Sequence, residues 1–180
     1  MNKIIFILLL FLIPFKLLSQ HKWESPSLFI GTTYLKNFKT NSIYDPTLII
    51  MHIPYSVLSK KHLKLHLGLE PQFNIVSIVG TYKKEFEYGI NVLFRISYIL
   101  NNTTIYAQPS IGPHYITHGT DIQIKGFIFS DNIGVGVTRQ FKKLKIDLQT
   151  RYRHLSNAGL NEPNIGIDNM FILIGIGYWF

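Results

Sequence analysis

Cysteine is absent from the 180 residues, which excludes a disulfide framework and a lipid anchor attached through cysteine. The chain has no glycine-rich phosphate loop and no dinucleotide-binding fingerprint, and most of its histidines are scattered without the spacing of metal ligands. Helical periodicity of useful length is also missing after residue 20. We therefore expect no helical bundle, and neither a metal nor another cofactor.

Acidic residues are few, with 10 Asp and Glu against 18 Lys and Arg. A basic protein can bind nucleic acid, but here the cations are spread singly along the chain and form no stripe or tail. Nucleic acid is therefore not expected as a partner. The anionic headgroup region of a membrane fits this distribution of charge better.

The first 20 residues have the layout of a secretory signal peptide. Lys3 precedes a long apolar run, and small or polar residues follow that run. Pro14 and Lys16 interrupt it, and it is too short to cross a membrane comfortably as a helix. We expect residues 1–20 to be a signal peptide and residues 21–180 to form a single exported domain.

The rest of the chain alternates between apolar and polar residues with period two, which is the pattern of β-strands. In residues 63–75, Leu, Phe and Ile point one way, while Lys, His, Glu, Gln and Asn point the other. Segments of this kind predict eight strands, at 27–36, 47–58, 62–75, 84–99, 103–116, 124–141, 143–156 and 167–180.

A soluble β-sandwich would also alternate, but several features favour a transmembrane barrel of the bacterial outer membrane. The segments have the length of tilted membrane strands, and short connections alternate with longer loops. The polar faces are rich in Gly, Ser, Asn and Gln, which suit a narrow barrel interior. Aromatic residues gather near strand ends, as interfacial girdles do: Tyr34, Tyr55, Tyr98, Tyr115, Tyr152, Tyr178 and Trp179. We predict an all-β fold, an eight-stranded antiparallel barrel in the outer membrane.

The interior of an eight-stranded barrel is filled by side chains, so the protein is not expected to be a wide pore. Charged residues with inward parity are expected to form an ionic network there: Glu70, Glu85, Glu87, Arg95, Asp147, Arg151 and Arg153. Function must then lie on the loops, the rim or the outer surface.

The last hairpin carries the residues that point to chemistry. By parity, His154 and Ser156 continue the lipid-facing side of the seventh strand, where polar side chains are costly without partners. If the hairpin folds symmetrically about residues 160–162, Asp168 lies opposite His154, with Cβ atoms roughly 5 Å apart. An imidazole between a hydroxyl and a carboxylate is the arrangement that nucleophilic catalysis requires.

Asn157 and Gly159 follow the candidate nucleophile. The Asn amide and a backbone N–H of this glycine-containing turn are candidates for an oxyanion hole. The site faces sideways into the outer leaflet, where only a lipid can be the substrate. In the simpler alternative, His154 and Ser156 are ordinary rim residues before a turn, and a one-residue bulge carries Asp168 to the other face.

The run His154-x-Ser156-Asn157-Ala158-Gly159-x-x-x-Pro163-Asn164-x-Gly166 resembles the signature of the lipid A 3-O-deacylase family, exported acyloxyacyl-type hydrolases of the outer membrane. The resemblance implies an eight-stranded barrel that removes the ester-linked acyl chain at position 3 of lipid A. It implies that the pair of catalytic residues, His and Ser, stands at 154 and 156, and that the family acid, usually Glu, falls on Asp168. Asp is shorter by one methylene, although both acids serve Ser–His hydrolases.

Together these patterns predict a serine esterase that acts on lipid A, the lipid part of lipopolysaccharide, within the outer membrane. Two alternatives remain open. The protein is an outer-membrane esterase or phospholipase that acts on another lipid, or it is a non-catalytic barrel with a structural or ligand-binding role.

Overall fold

The computed structural model describes residues 23–36, 44–78 and 84–178. Every predicted strand is present there, with ends that differ by at most three residues from the prediction. The eight strands are β1 (Ser27–Lys36), β2 (Tyr44–Ser59), β3 (Leu63–Ile78), β4 (Lys84–Leu100), β5 (Thr103–Ile116), β6 (Gly126–Phe141), β7 (Leu144–Ser156) and β8 (Ile167–Tyr178). The predicted signal peptide, Trp179 and Phe180 lie outside the described residues.

The strands form a closed antiparallel barrel in sequence order, and β8 pairs with β1. Short turns at 60–62, 101–102 and 142–143 join strands at one end, which we call the short-turn end. The longer connections 117–125 and 157–166 lie at the opposite, loop end. Closure of the sheet removes free strand edges, which backbone in a bilayer requires. No helix in the described part of the chain has the length and apolar character needed to span a membrane.

The outer wall is apolar, as the alternation predicts. Along β4 every second side chain is exposed, and these side chains are large and mainly apolar: Phe86, Tyr88, Ile90, Val92, Phe94, Ile96 and Tyr98. In water such a surface would drive aggregation. In the outer membrane it is the surface that a barrel presents to the acyl chains of the lipid.

The lumen holds the predicted ionic network, arranged around two buried glutamates. Glu87 accepts hydrogen bonds from Tyr44, Asn74, His114 and Arg153, at 2.7 to 2.9 Å. Glu70 accepts two from the guanidinium of Arg151, at 2.9 and 3.0 Å. Buried charges persist only when they are paired in this way. The network therefore ties β7 to β3 and β4 across the barrel.

Two details of the interior differ from the sequence-based expectation. Glu85 does not join the network; it is half-buried at the loop end and accepts a hydrogen bond from Thr117 at 2.7 Å. The interior is also not polar throughout, because β2 carries aliphatic residues on both faces. One buried apolar cluster consists of Phe29, Leu48, Ile50, Phe171 and Leu173. A second, towards the loop end, consists of Tyr44, Val76, Ile116, Ile122, Ile128, Leu155 and Ile167.

The segment before β1 is attached to the barrel at the short-turn end. Trp23 forms a β-bridge with Tyr55, and the two rings meet edge to face with centroids 5.2 Å apart. Glu24 forms an ion pair with Lys64, and its Oε1 lies 3.2 Å from His66 Nε2. These contacts fix the start of the described chain against β2 and β3.

Candidate active site

The β7–β8 ladder places His154 directly opposite Asp168, as the symmetric hairpin predicts. His154 Nδ1 lies 2.7 Å from Asp168 Oδ1. An ionised carboxylate can only accept, so Nδ1 carries a proton in this contact. The Asp168 side chain is 3 % exposed and that of His154 is 27 % exposed. The carboxylate is therefore shielded, while the imidazole remains accessible from outside.

Ser156 is the last residue of β7 and shares the outer parity of His154. It is half-buried and pairs with Phe129 of β6. Among the hydrogen bonds of the described residues, none joins the Ser156 hydroxyl to the imidazole. The structure therefore contains the His154–Asp168 contact, while the Ser156–His154 contact stays a prediction.

Asn157 and Gly159 are engaged with each other in the turn that follows. Gly159 N donates to Asn157 Oδ1 at 3.0 Å, and Asn157 Nδ2 donates to the carbonyl of Asn161 at 2.7 Å. The Asn157 backbone N–H donates to Asn164 Oδ1 at 2.8 Å. Both candidate oxyanion donors are thus already hydrogen-bonded within the turn: the Gly159 N–H to Asn157 and the Asn157 amide to Asn161. These bonds give residues 157–166 a defined shape.

A neighbouring loop braces this turn. Gln123 forms a β-bridge with Asn164, Ile124 N donates to the Pro163 carbonyl at 2.9 Å, and Ile165 N donates to Ile122 O at 2.8 Å. This short ladder lies between the connections 117–125 and 157–166. It holds the segment beside His154 in place through backbone hydrogen bonds, which do not depend on side-chain identity.

Gly166 lies against the Cε1–Nε2 edge of the His154 imidazole. A Cβ at this position would sit 2.4 Å from His154 Cε1 and 3.1 Å from Nε2. The backbone φ of Gly166 is +87°, in the left-handed region that residues with a Cβ rarely adopt. The glycine of the sequence run therefore has a steric reason: it leaves room for the histidine ring.

Tyr152 is a residue of the site that sequence reasoning treated only as part of an aromatic girdle. Its hydroxyl donates to Asp168 Oδ1 at 2.7 Å, so the same oxygen accepts from both Tyr152 and His154. Tyr152 lies two residues before His154 on the same face of β7. That spacing was the available signal, because residues two apart on one face can reach a common partner on the next strand.

Asp131 was also missed. It stands on the lipid-facing side of β6 and is the register partner of His154, on the side opposite to Asp168. Its Oδ1 is buried without a hydrogen-bond partner among the residues described. A shallow groove of about 350 Å³ adjoins Asp131 and is lined further along by Leu67, Val92, Phe94 and Ile111. The site thus has a carboxylate on each flank of the imidazole and an apolar groove next to it.

Asp131, His154 and Asp168 lie in a row across β6, β7 and β8. Nevertheless, within residues 23–36, 44–78 and 84–178 no three His, Asp or Glu side chains come close enough together to hold a metal ion. The fold and the position of the His–Asp pair define an integral outer-membrane β-barrel with a polar site open to the surrounding lipid.

Comparison with known families gives the more particular identity. The family described as "Lipid A 3-O-deacylase (PagL)" matches residues 13–177. The chain belongs to this family, and it is accordingly an outer-membrane lipid A deacylase, a carboxylic ester hydrolase.

Solved structures support the same fold. The crystal structure of the outer membrane enzyme PagL aligns with a TM-score of 0.61 at 14% identity, and the match covers 84% of this chain and 98% of that one. The attachment invasion locus protein Ail of Yersinia pestis aligns with a TM-score of 0.52 at 13% identity, over 87% and 97% of the two chains. Neisserial surface protein A aligns with a TM-score of 0.52 at 9% identity, and the match covers 87% of this chain and 95% of that one. Comparison with curated protein sequences gives no match.

Proposed function

We propose that this protein removes the ester-linked acyl chain at position 3 of lipid A, using Ser156 as nucleophile, His154 as general base and Asp168 as the acid that orients it. The observation that carries the proposal is the 2.7 Å contact between His154 Nδ1 and Asp168 Oδ1 on the lipid-facing wall. A buried carboxylate that fixes an accessible imidazole is what a serine nucleophile on the same face requires. Position 3 rests on the family to which the chain belongs.

In the proposed reaction, His154 Nε2 takes the proton from Ser156 Oγ as Oγ attacks the acyl carbonyl carbon. The tetrahedral intermediate collapses, and the bond to the sugar oxygen breaks as His154 returns the proton to that oxygen. Water then attacks the acyl-serine while His154 takes a proton from the water. The bond between Ser156 Oγ and the acyl carbon breaks, His154 returns the proton to Oγ, and the fatty acid leaves. Asp168 keeps the imidazole in the required tautomer and stabilises its cationic form in both halves of the reaction.

Asn157 and Gly159 stay our candidates for stabilising the oxyanion. Because the Asn157 amide donates to Asn161 O and the Gly159 N–H donates to Asn157 Oδ1, either donor must exchange its present partner for the oxyanion. The buried position of Asn157 also lets it act by shaping the turn.

The surroundings of the site suit a lipid substrate. His154 and Ser156 lie near the loop end of β7, where the wall meets the headgroup level of the outer leaflet. The neighbouring groove has room for part of an acyl chain and is lined mainly by aliphatic and aromatic side chains. A polar headgroup near the loops and an apolar tail along the wall fit this combination.

Mass spectrometry of lipid A from cells that express the protein tests the proposal. The intact protein is expected to remove one hydroxyacyl chain, and Ser156→Ala is expected to leave lipid A unchanged because the nucleophile is missing. Ser59→Ala serves as a matched control, since Ser59 is exposed at the other end of the barrel. Full activity of Ser156→Ala would exclude the proposed nucleophile, and unchanged lipid A with altered phospholipids would point to a different lipid substrate.

A further inference from the structure

Exposed cations gather at the short-turn end of the barrel. Lys60 and Lys61 lie in the β2–β3 turn, Lys142 and Lys143 form the β6–β7 turn, and Arg139 lies close to the end of β6. All of them are exposed to the surroundings. We call these five residues the basic rim.

The charge of the basic rim is not balanced locally. In the described part of the chain, none of its ammonium or guanidinium groups forms an ion pair with a carboxylate. Glu24, at the same end, is only 13 % exposed and is engaged by Lys64 and His66. Towards the loop end the charges are mixed, with Asp45, Glu85, Asp121 and Glu162 beside Lys84 and Lys125. Among the described residues, uncompensated positive charge is thus concentrated at the short-turn end.

The position of the basic rim around the barrel indicates what kind of partner it meets. The β2–β3 and β6–β7 turns are separated by four strands in a ring of eight, so they stand on opposite sides of the barrel. A protein docked on one side would contact only one of the two groups. A layer of headgroups that encircles the barrel contacts both.

The side chains near the basic rim have the character of a membrane interface. Arg139 has the outward parity of its strand, donates from Nη1 to Thr103 Oγ1 at 2.5 Å, and lies 5.9 Å from the centre of the Phe141 ring. On the far side, the ring of His62 stacks on that of Tyr98 with centroids 5.8 Å apart. Cations mixed with aromatic rings are typical of the level at which a membrane protein meets lipid headgroups.

We propose that the basic rim binds the headgroups of anionic phospholipids in the inner leaflet of the outer membrane. The short turns of such barrels lie on the periplasmic side, and each Lys or Arg held near an anionic lipid surface attracts it. The interaction involves the end of the barrel opposite to His154 and Ser156 and does not rest on the hydrolytic activity. It selects lipids by headgroup charge and anchors the barrel at its periplasmic edge.

Electron paramagnetic resonance of spin-labelled lipids tests the proposal. The barrel is reconstituted in phosphatidylcholine vesicles with a trace of labelled phosphatidylglycerol or, separately, labelled phosphatidylcholine. The natural protein is expected to hold phosphatidylglycerol about threefold more strongly at low ionic strength, and added salt is expected to reduce that ratio. A variant with Gln at all five positions of the basic rim is expected to show a ratio near 1.

A double variant at the loop end, Lys84→Gln with Lys125→Gln, is the matched control and is expected to keep the preference. Circular dichroism confirms that each variant is folded before it is compared. Equal retention of the two lipids by the natural protein would overturn the proposal. So would an undiminished preference in the fivefold variant, or an equal loss of preference in the loop-end control.

Discussion

Tyr152 and His154 donate to one and the same oxygen of Asp168. The carboxylate is therefore held from two sides, and the direct register between the two strands brings the Asp168 carboxylate to 2.7 Å from the imidazole. A carboxylate fixed in this way keeps the imidazole in one orientation, which is a form of preorganisation. Tyr152 thus acts through Asp168 and has the role of a positioning residue in the proposed reaction.

Replacement Tyr152→Phe removes this hydroxyl and keeps the ring. We expect kcat for lipid A deacylation to fall by about tenfold, because a misplaced imidazole is a poorer base, while KM changes little. The measurement is the steady-state rate on purified lipid A in mixed micelles. Tyr115→Phe, a lipid-facing tyrosine stacked on Tyr88, is the control. Unchanged kcat in Tyr152→Phe would show that the hydroxyl does not position Asp168.

Much of the site could be predicted from residue parity and hairpin symmetry. The His154–Asp168 pair follows from both, since period two fixes the face and a compact hairpin fixes the register. The same reasoning could have found Asp131. Asp131 and His154 lie equally far along the chain from the two-residue turn at 142–143, so the hairpin places them opposite each other. The Tyr152 hydrogen bond was predictable only in part. Its spacing from His154 on the same face of β7 brings the ring within reach of Asp168, but whether the hydroxyl points at the carboxylate depends on side-chain conformation.

At the scale of elements, strands were predictable and loops were not. Strand bounds follow from long alternation, and β2 shows the limit of that signal, because aliphatic residues on both of its faces conceal the buried cluster around Leu48 and Ile50. The ladder between residues 122–124 and 163–165 joins two loops distant in sequence. Nothing local in either loop predicts it, since its bonds involve backbone atoms only.

The segment before β1 supplies a prediction about pH. Burial by itself raises the pKa of Glu24, but hydrogen bonds and charge from His66 and Lys64 outweigh burial and lower that pKa to about 2, from an ordinary value of 4.5. A carboxyl whose pKa is lower in the folded state stabilises the fold at neutral pH. Its contribution is lost as the pH falls from about 4.5 to about 2.

Glu24→Gln is therefore expected to lower the free energy of unfolding at pH 7 by about 1 kcal/mol, the upper range for a partly exposed ion pair. Near pH 2 the difference between the variant and the natural protein is expected to vanish. The difference in free energy of unfolding is measured by urea unfolding, with tryptophan fluorescence as the signal. Asp121→Asn is the control, because Asp121 is an exposed loop carboxylate. A difference that stays constant with pH would contradict the role of the Glu24 carboxylate.

On the scale of the whole molecule, the ionic network connects the inside of the barrel with the site on its outside. Arg153, which is fully buried, precedes His154 on β7 and reaches Glu87 of β4 across the lumen at 2.7 Å. The strand that carries the site is thus attached on its inner face to the opposite wall. Removing one member of a buried pair leaves an unpaired charge, which is among the most destabilising single changes.

Glu87→Gln is expected to lower the free energy of unfolding by about 3–5 kcal/mol, because it leaves Arg153 uncompensated in the lumen. The midpoint of urea unfolding in lipid or detergent gives the change. Glu85→Gln is the matched control on the same strand: its side chain is half-buried at the loop end, so a small change is expected. Similar losses in both variants would argue against a special contribution from the luminal pair.

The sideways orientation of His154 and Ser156 also determines how the proposed enzyme meets its substrate. Encounters take place by two-dimensional diffusion within one leaflet, so the rate follows the mole fraction of lipid A in that leaflet and not its concentration in the surrounding solution. Inert lipid then acts as a diluent and slows turnover even when the total amount of substrate is constant. Packing and fluidity of the membrane become part of the kinetics, as they do for reactions confined to a surface.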